Sequence, residues 1–383
     1  MAFLSDELLS TLHARAAAHD AANEFPFNDY EDLCNAGYYA AFVPEEYGGA
    51  GLSLAEIAAE QTRLAKAAPA TALGINMHQI IVGLGRWLVR QGVANGEKIL
   101  REAAAGKLFA FGISEPGNDL VLFGSLTQAR EDGQGGYLLS GTKVFTSLAP
   151  AWDWLMTFGA VTSETGTQNV FGLVNRNDGG FEIKDDWHVT GMRATQSNTT
   201  VLQEARIAPE NVLGLVNPGP SKEPVVYGIF SNFEILLGAT YQGIGERAIE
   251  VAAAHVKQRK SVLHQDVYAN DPDIRWRIAE AALTMYPVGP ALRELAHSVD
   301  NGGELSDPGE YPRFSAAKNL AAEASLRAVN ECIRACGGSS YYETHELSRL
   351  YRDVLAGLFQ PSDQESLHSA WASMVLGPIE KKN

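Results

Sequence analysis

The hydrophobic rhythm of the chain changes twice along its length, and that alternation limits the folds open to it. From Ser5 to about residue 105, apolar residues recur every three or four positions, as in LSLAEIAAEQTRLAKAA and NGEKILREAAAG, the spacing of one face of a helix. The main interruption, VPEEYGGAGLS at residues 43–53, sets Pro44 and three glycines before Ser53, a residue suited to cap the next helix. Between residues 106 and 214 the texture becomes short β-branched or aromatic runs, among them LFAFGIS, DWLMTFGAV, NVFGLVNR and NTTVLQEARI, split by Gly, Asn and Asp turns. Helical periodicity then returns over 222–383, broken by glycines and prolines at 301–308. Strands without intervening helices argue against a doubly wound parallel sheet. The pattern predicts an α+β chain: an N-terminal helical domain (1–105), a central antiparallel β-barrel or sandwich (106–214), and a C-terminal bundle (222–383) of four or five long helices.

Composition narrows the partners. Forty-six acidic residues against 30 basic ones give a formal charge of −16, with no Lys/Arg block. Such a chain is repelled by phosphate backbones, so nucleic acid and anionic membranes are dropped as main partners. At 45% hydrophobic and 20% charged residues, it lies far from the composition of disordered chains. No apolar run approaches the roughly 20 residues that span a bilayer. The first twenty residues read as an amphipathic helix without the cationic start and apolar centre of a signal peptide, so a cytoplasmic location is expected. Cys34, Cys332 and Cys336 make no CxxC and no zinc spacing, and are expected to be free thiols with no metal site.

Common catalytic signatures are missing: the sequence has no HExxH, GxSxG, Walker A or strand-linked GxGxxG. Gly243-Ile244-Gly245, inside a helical run, reads as a close-packing site. His78 reads as a satisfied helix residue, and His188, His255 and His264 have no metal spacing with an acid pair. Trp276 is expected to anchor the core side of an amphipathic helix.

Four short segments are harder to read as scaffold. They are Phe111-Gly112-Ile113-Ser114-Glu115-Pro116-Gly117-Asn118-Asp119, Gly141-Thr142-Lys143-Val144-Phe145-Thr146-Ser147, Gly191-Met192-Arg193-Ala194-Thr195-Gln196-Ser197, and Cys336-Gly337-Gly338 followed by ELSRLYRD at 346–353. With VPEEYGGAGL in front, their order resembles the acyl-CoA dehydrogenase superfamily over about residues 40 to 355. The resemblance implies a flavoprotein with FAD between the β domain and the C-terminal bundle, acting on a small-molecule acyl substrate for which CoA and a carrier protein are the candidate carriers. It also implies an electron acceptor or reductase as partner. Ser114 stands where the family places a Thr against the flavin pyrimidine edge, with Phe111 beside it. Phe145 takes the place of the Trp that packs on the isoalloxazine, and Ser147 that of the Thr near N5 and O4. Arg259 matches the Arg that reaches the FAD diphosphate of a neighbouring subunit, which implies a homodimer or homotetramer. Gly337 and Gly338 match a pair that lets backbone approach the cofactor, and Arg334 replaces the Gln three residues before them. A flat apolar ring needs an aromatic wall and a few fixed polar groups, which these residue types supply.

The departures bear on the reaction. In most acyl-CoA dehydrogenases a Glu eight residues past the RD pair removes the substrate α-proton; here that position is Pro361, beside Gln360. Some members carry the base on the first long helix after the β domain, where Phe233 now stands with Glu234 one residue later. Glu234, Asp363 and Gln360 are the candidate catalytic residues. The leading expectation is α,β-dehydrogenation of an acyl thioester with Glu234 or Asp363 as an unusual base. The alternatives are a reductase-dependent flavin monooxygenase on the same fold, a branch without the catalytic Glu, and a flavin-binding protein without turnover.

Overall fold

A computed structural model describes residues 2–164, 166–303, 310–377 and 379; of the expected break at 301–308, positions 304–308 lie outside the described residues. The N-terminal part is helical: α1 (Asp6–Ala22), α2 (Phe27–Asn35), α3 (Leu54–Ala67), α4 (Pro69–Arg90) and α5 (Gly96–Ala104). Ser53 caps α3 through a full capping box, its Oγ accepting from Glu56 N–H while the Glu56 carboxylate accepts from Ser53 N–H at 2.8 Å. Helix α4 is buried along nearly its whole length, which explains an apolar sequence with little amphipathic contrast.

Eight strands follow: β1 (Phe109–Gly112), β2 (Gln128–Glu131), β3 (Tyr137–Lys143), β4 (Trp154–Ser163), β5 (Gly166–Asn175), β6 (Phe181–Ile183), β7 (Thr200–Ile207) and β8 (Val212–Val216). They form one sheet in the order β6-β7-β3-β2-β4-β5-β8, with β1 also paired to β4. Most pairings are antiparallel; β1 and β2 each run parallel to β4. β6 and β8 lie at opposite ends of this path, so among the described residues the strands make an open sheet without ring closure.

The C-terminal part comprises α6 (Pro224–Gln258), α7 (Pro272–Met285), α8 (Val288–Asp300), α9 (Glu310–Cys336), α10 (Glu346–Val354) and α11 (Gln364–Leu376). Six helices are thus described against the four or five expected from periodicity, because the chain breaks at Tyr286-Pro287 between α7 and α8 and α11 forms beyond the last periodic run. Gly243 and Gly245 act in packing: a Cβ would lie 2.4 Å from Thr62 O at the first and 2.6 Å from Met285 Sδ at the second. Trp276 is a correction. It is 61% exposed, because Ile278, Ala281 and Met285 occupy the inward stripe of α7 and Trp276 falls outside it.

Two buried knots fix the sheet and its neighbours. In the first, the Glu115 carboxylate accepts from Lys143 Nζ (2.6 Å), Ser125 Oγ (2.6 Å), Asn118 Nδ2 (2.7 Å) and the N–H groups of Leu126 (2.6 Å) and Thr127 (3.0 Å). Burial opposes its charge, yet Lys143 and these donors hold Glu115 down at about 2, while burial lowers Lys143 to about 8. Both stay charged at neutral pH.

The second knot joins all three parts. Arg352 on α10 donates to both Asp20 oxygens on α1 and to Thr190 O, while Asp353 Oδ1 accepts the Met192 N–H at 2.6 Å. Gly191 makes this approach possible, since a Cβ there would lie 2.0 Å from Arg352 O.

Lys143→Met is expected to destabilise the fold by about 3–5 kcal/mol, the cost of leaving a buried charge unpaired, read from denaturation midpoints at pH 7. Because the folded Glu115 carboxyl sits at about 2 against an ordinary 4.5, its contribution is full above 4.5 and is lost as pH falls toward 2. The variant should therefore lose its deficit relative to wild type across that acid window. Arg352→Ala should cost about 1.5–3 kcal/mol, the range for hydrogen bonds to charged groups, with an unchanged urea m-value.

Candidate functional site

The turn after β1 and the segment after β3 are held face to face. Val144 N–H donates to Ser114 O at 2.9 Å, and the Glu115–Lys143 pair locks the same two segments one residue further along. Phe111, in β1, is buried beside Phe233 of α6 with ring centroids 5.8 Å apart. Phe145 does the opposite: it is 63% exposed, at a φ of 57°, with its ring edge-on to Trp187 at 6.1 Å. Ser147 turns inward at 6% exposure, its Oγ 2.7 Å from Ser197 Oγ, which lies 2.7 Å from Thr195 Oγ1. Leu148 N–H donates to Thr195 O, so the GMRATQS loop and the KVFTS segment are one unit. The structure thus brings Phe111, Ser114, Phe145 and Ser147 to one edge of the sheet. A bare aromatic face held by a left-handed backbone, beside a half-buried Trp and fixed hydroxyls, fits a flat ring system.

A second group gathers at the ends of α6 and α9. The Arg259 guanidinium donates to Cys336 O and packs over the Tyr268 ring at 4.7 Å. A Cβ at Gly337 would lie 3.2 Å from Arg259 Nη1, whereas one at Gly338 would meet nothing within 4 Å. These three residues form a patch with open space beside a cation, as a phosphate-bearing group requires. Arg334, exposed on α9 three residues before Gly337, is not joined to Arg259 by a hydrogen bond. No hydrogen bond or ring contact links this patch to the Phe145–Ser147 edge among the described residues.

Sequence spacing hid one cluster here: ligand atoms of His255, Cys336 and His345 lie within 4.8 Å of one another. His345 Nδ1 accepts the Leu347 N–H, so the neutral ring carries its proton on Nε2, an arrangement unsuited to a metal ligand.

The segment around the family's base position is tied to the protein through several polar contacts. Lys318 Nζ donates to the carbonyls of Gly357 (3.0 Å), Gln360 (2.6 Å) and Ser362 (3.1 Å). Tyr241 Oη donates to Gln360 Oε1 at 2.6 Å, and Ser362 Oγ to Glu234 Oε1 at 2.7 Å. Glu234 Oε2 is buried without a partner, and burial, opposed by Lys318 and Ser362, pushes this carboxyl above the ordinary glutamate range. Asp363 is the N-cap of α11, accepting from Ser366 N–H at 2.8 Å. Glu234, Gln360 and Ser362 therefore share one buried network, with Asp363 at its margin.

Sequence reasoning missed Lys318, Tyr241 and Ser362. Lys318 had a signal, since it falls on the buried stripe of α9 with Phe314, Ala317, Ala321, Ala322 and Ser325, where a cation requires several acceptors. Tyr241 and Ser362 had none, because their partners are 119 and 128 residues away.

The N-terminal, middle and C-terminal domains of acyl-CoA dehydrogenase match residues 2–107, 110–205 and 225–359. L-evernosamine nitrososynthase from a Micromonospora species is 31% identical over 92% of this chain and 84% of its own length. An acyl-CoA dehydrogenase of Bacillus subtilis is 26% identical over 88% of this chain and 86% of its own. The structure of KijD3, solved in complex with FMN and a dTDP-linked 3-amino-4-keto sugar, superposes with a TM-score of 0.86 at 25% identity, covering 98% of this chain and 93% of that one. The α+β architecture, the matched segments and this likeness agree: the chain belongs to the acyl-CoA dehydrogenase family of flavin-dependent oxidoreductases, whose members bind FAD.

Proposed function

We propose that this enzyme is a flavin monooxygenase of the family, oxygenating an amine or a comparable nucleophilic substrate with reduced flavin delivered by a separate reductase. One observation carries the reading: the base position is Pro361, and beside it the Gln360 carbonyl is held by Lys318, Gln360 Oε1 by Tyr241 and the Ser362 hydroxyl by Glu234, which leaves Glu234 Oε2 as the one carboxylate oxygen of this network without a partner. Proton removal α to a thioester needs a positioned base of tuned pKa, and none is offered at Pro361. The likeness to the nitrososynthase and to KijD3, whose names specify amino sugars, supports an amine substrate.

Reduced flavin, when bound, would supply the two electrons that, with two protons, convert dioxygen to one oxygen atom on the substrate and one molecule of water. Phe145 and Phe111 give the ring its apolar walls, and Ser114 and Ser147 its hydrogen-bonding edge. Arg259, Gly337 and Gly338 take the phosphate-bearing end, and Arg334 contributes positive charge at the rim. Gln360 and Asp363 shape the substrate side, Gln360 by way of Tyr241 and Asp363 by capping α11.

The family implies an acyl-CoA substrate and an electron acceptor, and α,β-dehydrogenation stays in view for one reason: Glu234 Oε2 has no partner. On that reading Glu234 is the base, and the acyl group rides on CoA or a carrier protein. The two readings separate cleanly. Anaerobic addition of an acyl-CoA series should leave the oxidised flavin band unbleached, and reduced flavin with air and an amine panel should give substrate-dependent oxygen uptake. Bleaching by any acyl-CoA, abolished by Glu234→Gln, would establish the dehydrogenase instead.

The same proposal includes a homodimer or homotetramer, located in the cytoplasm. A groove of about 660 Å³ between α7 and α9 has Leu283, Pro287, Leu320 and Leu326 in its lining together with Glu323 and Arg327, and Tyr286, next to Pro287 in the chain, is exposed. A groove with both apolar and charged lining suits contact between copies of this chain. Three free thiols suit a reducing compartment. Paired Leu283→Asp and Tyr286→Asp substitutions are expected to lower the mass measured by light scattering to that of a smaller assembly.

A further inference from the structure

The hydroxyl chain behind Ser147 has a fixed direction. Thr195 Oγ1 lies 2.8 Å from Met192 O, and a carbonyl has no proton, so only donation from Thr195 makes this contact attractive. A hydroxyl carries one proton; with that of Thr195 spent on Met192 O, the 2.7 Å contact to Ser197 Oγ requires Ser197 to donate. The proton of Ser197 is spent in turn, so the 2.7 Å contact to Ser147 Oγ requires Ser147 to donate. Ser147 therefore directs its only proton inward and keeps lone pairs alone for anything bound against it.

The chain is anchored rather than fortuitous. Its terminal acceptor belongs to Met192, whose own N–H is held by buried Asp353 at 2.6 Å. Thr195 is fully buried and Ser197 nearly so, so water does not scramble the order. Left-handed backbone at Phe145 (57°), Leu148 (69°), Met192 (54°) and Gln196 (43°) flanks both ends of the chain. Strain of this kind in non-glycine residues persists where the surroundings hold it, and it gathers at functional sites.

We propose that Thr195 and Ser197 are positioning residues that make Ser147 an obligate hydrogen-bond acceptor toward the flavin, so that the site favours the reduced cofactor over the oxidised one. The inference rests on the flavin lying with N5 near Ser147. Oxidised N5 is an acceptor and finds no donor there; reduced N5 carries a hydrogen that Ser147 Oγ receives. For an enzyme that takes reduced flavin from a partner, this preference retains the form it uses and releases the form it has spent.

The test is anaerobic titration of the full-length protein with oxidised and dithionite-reduced FAD and FMN, giving the ratio of the two dissociation constants for each flavin. Ser197→Ala frees the Ser147 proton to point outward, and it should lower the oxidised-to-reduced ratio by about two- to tenfold, the worth of one hydrogen bond. The midpoint potential of the bound flavin should fall accordingly. Thr195→Val should act in the same direction and serves should Ser197→Ala fail to fold, while Ser197→Thr should restore the wild-type ratio. In a Ser147→Ala background the Ser197 substitution should have no further effect, which a merely structural role would not produce. Binding with an unchanged ratio, or a Ser197 effect that survives loss of Ser147, overturns this inference alone. Failure of either flavin to bind in either redox state overturns the functional reading with it.

Discussion

The contact on which the site depends is the hydrogen bond from Met192 N–H to buried Asp353. It carries the C-terminal bundle onto the β sheet, and the adjacent Arg352 extends the same junction to Asp20 on α1. Burial pushes Asp353 up to about 6, while the Met192 N–H and the nearby Arg349 work the other way. Its position leaves no room for a side chain at Gly191, so sequence, backbone and charge agree on one arrangement there. From Met192 the order passes through Thr195 and Ser197 to Ser147. A hydroxyl of the proposed flavin site is thus set by a helix more than 200 residues further along the chain.

The substrate side follows a different logic. An ammonium buried at Lys318 must find acceptors, and it takes three backbone carbonyls from the segment 357–362. That requirement, with Ser362 and Tyr241, shapes the stretch around Pro361. The loop wraps a cation, and Glu234 meets it through Ser362 with one oxygen engaged and one without a partner.

Much of this was legible in the residues. The double change of rhythm gives the α+β order, the cap at Ser53 and the helix packing at Gly243 and Gly245. Motif order brings Phe145, Ser147, Arg259 and Gly337 into view before any coordinates. What stays hidden depends on closure in three dimensions. A lone serine such as Ser362 has no local signature, and the direction of a hydroxyl chain follows only from where its last proton goes. Trp276 misleads because size and aromaticity suggest a core anchor, whereas the position of a residue on the helix stripe decides its burial. The cluster of His255, Cys336 and His345 escapes spacing rules because α6, α9 and the cap of α10 meet only in the folded chain.

Oxygen transfer leaves a mark that dehydrogenation cannot. Turnover of an amine substrate by the reduced-flavin enzyme under isotopically heavy dioxygen, followed by mass spectrometry of the product, tests the central claim most directly. A monooxygenase places one heavy oxygen atom in each molecule of product and the other in water. A product without label, with all heavy oxygen recovered as hydrogen peroxide, would contradict it.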